Sequence, residues 1–144
     1  MSKINIYSII KPSKDEFDVL IKEFIKMSSK YAKVEVHYIF NKNIAKAQTI
    51  GEKEAQQSYS ETYEPLLKGF NIALDVLGKK VDTYAFSTLI DDKNEVNFFI
   101  GGAFGFQREF LNKCDTIISL SDLTMAHKVA NVVLTEQIFR ALCI

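Results

Sequence analysis

The segment VNFFIGGAFG, residues 96–105, places a mostly apolar run directly before a glycine-rich turn. The run at 96–100 is rich in β-branched and aromatic residues and predicts a buried strand. The glycines that follow allow backbone conformations with positive φ and a close approach of the backbone to a ligand. In open α/β sheets, ligands bind outside the carboxyl ends of the strands. This segment therefore predicts an α/β sheet with a binding loop at the end of one strand.

Outward from this segment, hydrophobic periods of two and 3.6 residues alternate, which is typical of strand–helix units around a parallel sheet. Strands are predicted at residues 4–10, 34–40, 70–76, 96–100 and 116–120. Helices are predicted from a cap at Ser13 to about residue 31, and over 45–67, 83–90, 107–113 and 127–142. We expect a single domain, residues 1–144, with a largely parallel five- to six-stranded sheet flanked by helices.

Three residues mark irregular points in this pattern. Gly51 weakens the predicted helix over 45–67, and Pro65 is expected to distort its last turn. Gly78, followed by two lysines, predicts a turn after the third strand. The last helix, 127–142, is apolar nearly all round, so we expect the sheet to cover one side and another subunit to cover the other.

Composition excludes several classes of protein. Of the 144 residues, 47% are hydrophobic, and 18 Lys+Arg balance 18 Asp+Glu. Such a chain buries a sizeable core, and its zero net charge disfavours a generic nucleic-acid-binding protein. Cys114 and Cys143 form no metal-ligand motif, so no metal site is expected. The sequence contains no signal-peptide pattern and no apolar run of membrane-spanning length, so we expect a cytoplasmic protein with no membrane partner.

The glycine-rich loop matches neither common nucleotide-binding motif. GGAFG lacks the spacing of GxGxxG and the GK[ST] ending of a P-loop. Two other loops, 74–79 and 119–127, also follow predicted strands and carry polar side chains. Together the three loops predict a ligand site at the strand ends; the alternative is that GGAFG is only a tight turn needed by the fold.

Basic residues and histidines give weaker signals. Lysines recur along one line at positions 22, 26, 30, 33, 42 and 46. This line is either a solvated surface or an edge that contacts RNA. His37 alternates with apolar residues in a strand and is interpreted as structural. His127 lies at a predicted loop-to-helix junction, where an imidazole either transfers a proton near neutral pH or only caps and packs the helix.

Three motifs resemble the RlmH-type 23S rRNA methyltransferases of the SPOUT class. LDVLGKKVDTYAF, residues 74–86, is similar to the family's LDxxGK segment, and FFIGGAFGF, residues 98–106, to its IGGxxG loop. SLSDLTMAHKVANVVLTEQIFRA, residues 119–141, is similar to its SLSxLTxxH…E…RA signature, although Asn131 stands where an arginine is common. The resemblance is strong from residue 74 onward and looser before it.

This resemblance implies a homodimer with a C-terminal trefoil knot that binds S-adenosylmethionine and methylates N3 of a pseudouridine in large-subunit rRNA on the assembled ribosome. The cofactor contacts it implies are Leu74, Asp75, Gly102, Ser121, Asp122, Leu123, Thr124, Met125 and Ala126. His127 is the titratable residue nearest to these positions and is the candidate catalytic base. A noncatalytic ribosome-binding or assembly protein with the same fold, and a small-molecule-binding module unrelated to RNA, remain alternatives.

Overall fold

A computed structural model describes residues 1–144 and contains alternating strands and helices. The strands are β1 (Ser2–Ile9), β2 (Ala32–Ile39), β3 (Phe70–Lys80), β4 (Glu95–Ile100) and β5 (Thr116–Ser119). The helices are α1 (Glu16–Ser28), α2 (Lys42–Ile50), α3 (Glu52–Tyr63), α4 (Thr83–Ile90), α5 (Arg108–Lys113) and α6 (His127–Leu142). A 3₁₀ turn, Glu64–Leu66, follows α3.

The strands form one five-stranded sheet in the order β2-β1-β4-β3-β5, and every neighbouring pair is parallel. The predicted α/β class and largely parallel sheet are thereby confirmed. Because β4, β3 and β5 are neighbours, the loops that follow them leave the same edge of the sheet. The trefoil knot stays a prediction from the family resemblance.

Two hydrophobic clusters cover the two faces of the sheet. One joins β-strand residues to α4 and α6 and includes Phe86, Phe98, Leu134 and Ile138. The other is largely aromatic and joins β4 to α2, α3 and α5; its members include Tyr59, Tyr63, Phe99 and Phe110. The sheet is therefore the middle layer of three, as its continuous apolar strands require.

The predicted helix over 45–67 is wrong, because two helices occupy this region. Gly51 has extended backbone and is both the last cap of α2 and the first cap of α3. Pro65 lies in the 3₁₀ turn, where its missing N–H breaks no helical hydrogen bond. Glycine thus ends one helix and begins the next instead of only weakening a continuous one.

The predicted helix cap at Ser13 is also wrong. Asp15 caps α1 by accepting hydrogen bonds from the N–H groups of Phe17 and Asp18, at 3.0 and 3.4 Å. The Asp18 carboxylate in turn accepts from the Asp15 N–H at 3.0 Å, which completes a capping box. The reciprocal pair at this spacing decides where the helix begins.

Gly78 lies within β3 rather than in a turn after it. The register of β3 against β5 shifts between Leu74 and Lys79, so the strand bulges around Gly78. A Cβ at Gly78 would lie 2.7 Å from the backbone carbon of Ile118 and 2.9 Å from that of Ile117. Glycine is required here because the two backbones approach closely.

Candidate functional site

A cleft of about 540 Å³ opens at the carboxyl ends of β4 and β5, beside the bulge in β3. Three segments line it, residues 74–76, 100–106 except Phe104, and 119–127 except Asp122, together with Ala130. Its volume lies within the range of small-molecule sites in proteins. The three predicted segments therefore line one cleft, but the prediction of a loop at 74–79 is wrong, because these residues form the bulge inside β3.

All but one of the predicted cofactor residues line this cleft, and so does His127. The exception is Asp122, whose carboxylate points to solvent and pairs with the Lys80 ammonium at 2.8 Å. Both side chains of this pair are about 70% exposed: 71% for Lys80 and 70% for Asp122. Asp122 therefore lies outside the cleft on the backbone of a loop whose other residues face it.

Helix α3 fixes the glycine-rich loop from behind. The Gln56 side chain donates to the Phe104 carbonyl oxygen at 2.8 Å, and the Ser60 hydroxyl donates to Gln107 Oε1 at 2.7 Å. A Cβ at Gly102 would lie 2.3 Å from Cζ of Tyr59, whose hydroxyl donates to Gln48 of α2. Gly102 is therefore needed for packing against an aromatic ring, and it also lines the cleft, where its contact with a ligand stays a prediction.

Gly105 alone among the three loop glycines has a positive φ, of 76°. Its N–H donates to the Gly102 carbonyl at 3.1 Å and closes a tight turn. The loop therefore forms a tight turn and also lines the cleft.

The loop after β5 lines the cleft and is held by hydrogen bonds of its own. Ser121 organises it, since its hydroxyl accepts from the Leu123 N–H at 3.0 Å and its carbonyl accepts from the Ser119 hydroxyl at 2.8 Å. The N–H groups of Thr124 and Met125 have no partner within the chain. Two free donors in a largely apolar cleft suit the recognition of a neutral ring or a carboxylate.

His127 is the first residue of α6 and lies half-buried against the glycine-rich loop. Burial lowers the pKa of His127 below its ordinary value, and the backbone of Gly102 and Gly101 beside the ring opposes this shift only in part. The cap of α6 is Ala126, with no side-chain capping bond. His127 therefore caps nothing, and its imidazole is neutral near pH 7, the form that accepts a proton.

Lys128, the next residue, is buried and ties α6 to α1. Its ammonium donates to Asp18 at 2.6 Å, to Asp15 at 3.1 Å and to the Ser13 carbonyl at 3.0 Å. Tyr38 of β2 donates its hydroxyl to Asp18 at 2.9 Å. This network fixes the first turn of α6 and thereby the position of His127. The sequence carried no signal for it, because the partners lie more than a hundred residues apart.

Asn131 anchors the same turn from inside. It is fully buried, and its amide donates to the Ser8 hydroxyl and to the His127 carbonyl, both at 2.9 Å. Its own side-chain oxygen has no partner. Asn131 therefore positions the backbone of His127, and it does not itself line the cleft.

The aromatic wall of the cleft was missed by the sequence interpretation. Phe106 lines the cleft and stacks on Phe110 with ring centroids 5.4 Å apart. A Cβ at Gly101 would lie 3.2 Å from the Phe106 ring. The sequence signal for this wall is Phe106 itself, the final residue of the FFIGGAFGF motif.

His37 and the lysine line lie away from the cleft. The His37 ring stacks on Tyr7 with centroids 4.8 Å apart and shares a 3.1 Å hydrogen bond with Asn5 Oδ1. Burial lowers the pKa of His37, which fits a structural residue. The side chains of Lys22, Lys26 and Lys30 are exposed and form no ion pair.

The structure contains no cluster of three or more histidine, cysteine or acidic side chains placed to bind a metal ion. None of its helices combines the length and apolar character needed to span a bilayer.

Comparison with known proteins gives consistent similarities. Residues 2–144 match the family described as Predicted SPOUT methyltransferase. A protein of Aliarcobacter butzleri named Ribosomal RNA large subunit methyltransferase H is 87% identical over 142 residues, which cover 99% of this chain and 94% of that protein. A protein of the same name from Campylobacter concisus is 48% identical, with the same coverage of 99% and 94%. A crystal structure from Bacillus anthracis shares the fold, with a TM-score of 0.51 at 16% identity over 99% of this chain and 95% of that one.

Proposed function

Because the chain belongs to the SPOUT methyltransferase family and is an RlmH-type enzyme, we propose that it methylates N3 of a pseudouridine in large-subunit (23S) rRNA. The proposal includes S-adenosylmethionine as methyl donor and the assembled ribosome in the cytoplasm as substrate. The observation that carries it is the convergence of residues 74–76, 100–106 and 119–127 in one cleft beside a neutral imidazole.

The lining of the cleft suits S-adenosylmethionine. Only Asp75 and His127 among the lining residues have ionisable side chains, so the cleft has no basic cradle for phosphates. Leu74, Leu120 and Met125 provide apolar walls for a purine, and the free N–H groups of Thr124 and Met125 provide donors. When bound, the cofactor supplies a methyl group on a positively charged sulfur, which the Asp75 carboxylate would attract.

His127 is the proposed proton acceptor. N3 of the base must lose its proton as it becomes methylated, and a neutral imidazole accepts one. The pKa of His127 is lowered by burial, so the ring is in its basic form at neutral pH. Lys128 and Asn131 hold the turn that carries this ring, and good alignment of reactants supplies roughly 7–11 kcal/mol of barrier lowering.

A homodimer is part of the proposal because two packed helices carry exposed apolar side chains on their outer surface. Val19 and Leu20 of α1 are 63% and 48% exposed, and Val129 of α6 is 36% exposed. Helices α1 and α6 pack against each other. A second copy would remove this surface from water. We expect a dimer mass in sedimentation equilibrium and a monomer for Leu20→Glu; a monomeric unmodified protein at micromolar concentration would contradict the proposal.

The central experiment measures transfer of label from methyl-labelled S-adenosylmethionine to ribosomes that lack the modification. We expect label in 23S rRNA, at N3 of one pseudouridine, and calorimetric binding of the cofactor to the free protein. Failure to label rRNA while the cofactor still binds would support the noncatalytic alternative. Failure to bind the cofactor would overturn the assignment of the cleft.

His127→Ala and His37→Ala form a matched pair of variants for this assay. We expect His127→Ala to bind S-adenosylmethionine yet lose at least about 100-fold in turnover, the low end of general-base contributions. His37→Ala changes the other histidine of the chain, which lies outside the cleft, and should retain activity. Full turnover by His127→Ala would mean that this residue is only structural.

A further inference from the structure

A second cleft, of about 430 Å³, lies between the β1–α1 loop, α1 and β2. Its floor is apolar and is formed by Ile21, Ile25 and Val36. Lys14 and Lys22 lie at its rim, and both are exposed. The cleft thus combines an apolar slot with two cationic groups, and it shares no lining residue with the methyl-transfer cleft.

The charge of this cleft is positive in spite of a carboxylate in its wall. Asp18 lines the cleft, but its oxygens accept hydrogen bonds from the Lys128 ammonium at 2.6 Å and the Tyr38 hydroxyl at 2.9 Å. Lys14 and Lys22 have no carboxylate within 4.0 Å. Lys128 offsets one of the two carboxylates that it contacts, so Lys14, Lys22, Lys128, Asp15 and Asp18 together have a net charge of +1.

The second cleft is coupled to the methyl-transfer cleft through two consecutive residues. His127 lines the first cleft, and Lys128 bonds to Asp18 in the wall of the second. The two residues are consecutive at the start of α6, so one helix terminus supplies a lining residue to the first cleft and a contact to the wall of the second.

We propose that the second cleft binds a nucleotide of the RNA substrate that flanks the methylated base. The base would occupy the apolar slot, and the phosphates on either side would contact Lys14 and Lys22. A nucleotide has the required combination of a flat apolar surface and flanking negative charge. Lys11 and Lys26, on the same segment of the chain, are also exposed. This inference rests on the proposed RNA substrate.

The first test compares two double variants with equal loss of charge. Lys14→Gln/Lys22→Gln changes the rim, and Lys53→Gln/Lys93→Gln removes two exposed or partly exposed lysines elsewhere. Co-sedimentation with unmodified ribosomes over a series of KCl concentrations gives affinity and its salt dependence. We expect the rim variant to bind about tenfold more weakly and to lose about 1.4 from the slope of log K against log[salt], taking 0.7 per phosphate. The control variant should match the unmodified protein.

The second test observes the slot itself and needs no ribosome. Methyl NMR spectra of protein labelled at Ile and Val are recorded with a mixture of the four ribonucleoside 5′-monophosphates at millimolar concentration. We expect shifts of the Ile21, Ile25 and Val36 methyl signals that disappear in Lys14→Gln/Lys22→Gln.

The two tests separate the inference from the proposed function. Unmoved slot methyl signals together with equal ribosome affinity of both double variants would overturn the second cleft while leaving methyl transfer in place. Shifted methyl signals in a protein that never labels rRNA would overturn the proposed function and retain a nucleotide site. Rim-dependent binding to anionic phospholipid vesicles, with unchanged ribosome binding, would also overturn the inference.

Discussion

Replacing Lys128 by methionine removes the cation that joins α1 to α6. The Lys128 side chain is only 8% exposed, and its ammonium contacts Asp18, at 15% exposure, and Asp15, at 34%. Removing one partner of a buried ion pair costs about 3–5 kcal/mol because a buried charge remains. Asp18 keeps its bonds to Tyr38 and to the Asp15 N–H, and Asp15 reaches water. We therefore expect the low end, about 3 kcal/mol of unfolding free energy.

The loss of unfolding free energy in Lys128→Met should also depend on pH. Burial works to raise the pKa of Asp18, but the hydrogen bonds from Lys128 and Tyr38 outweigh it, and the pKa lies below its ordinary value. Burial works to lower the pKa of Lys128, but the bonds to Asp18 and Asp15 raise it. The Asp18 contribution is present above about pH 4 and is lost as pH falls through its lowered pKa. The Lys128 contribution is present below about pH 10 and is lost as pH rises through its raised pKa.

The assay is urea unfolding of the unmodified protein and of Lys128→Met at fixed protein concentration from pH 3 to pH 10. Lys113→Met is the control, since it breaks an exposed pair with Glu64 at 2.8 Å, and we expect a loss below about 1 kcal/mol. The difference between the unmodified protein and Lys128→Met should be constant near neutral pH and shrink in acid. A loss no larger than that of Lys113→Met, or one that is unchanged at pH 3, would refute the reasoning.

Three further predictions concern the methyl-transfer cleft. Methyl transfer should fall as pH drops through the lowered pKa of His127, because protonation removes the base, and kcat/KM measured against pH should lose this limb in His127→Ala. Gly102→Ala should cost about 1–3 kcal/mol in urea unfolding, since its Cβ would overlap the Tyr59 ring, and Tyr59→Leu in the same chain should recover part of the loss. Asp122→Asn should change the calorimetric affinity for S-adenosylmethionine by less than about twofold, because exposed ion pairs contribute little, and a tenfold loss would show that this carboxylate reaches the ligand.

The strands and the cleft were accessible from the sequence because their signals are local. The strands predicted at 4–10, 34–40, 96–100 and 116–120 lie within two positions of those observed, whereas the strand predicted at 70–76 continues four residues further, to Lys80. Parallel strands align their carboxyl ends, so loops after β3, β4 and β5 meet without any knowledge of side-chain contacts. The glycine motif and the segment at 119–127 therefore predicted the position of the site.

The predictions fail in two situations. Either two neighbouring residues are both able to form the same local structure, or the interaction that decides the structure comes from a distant part of the chain. Ser13 and Asp15 both have capping side chains, and only the reciprocal bond from Asp18 selects Asp15. Gly78 resembles turn chemistry, but its role depends on the backbone of β5 some forty residues later. The burial of Lys128 likewise follows from carboxylates on α1, which no helical period of α6 reveals.

Helix α3 supports the glycine-rich loop without lining the cleft. The residues that position the loop therefore differ from those that would contact a ligand. No residue of α2 or α3 lines the cleft, yet Gln56, Tyr59 and Ser60 determine where the loop backbone lies. We therefore expect substitutions in α3 to change the affinity of the cleft for its cofactor while every residue that lines the cleft stays the same. A compound bound under α3 should act in the same way.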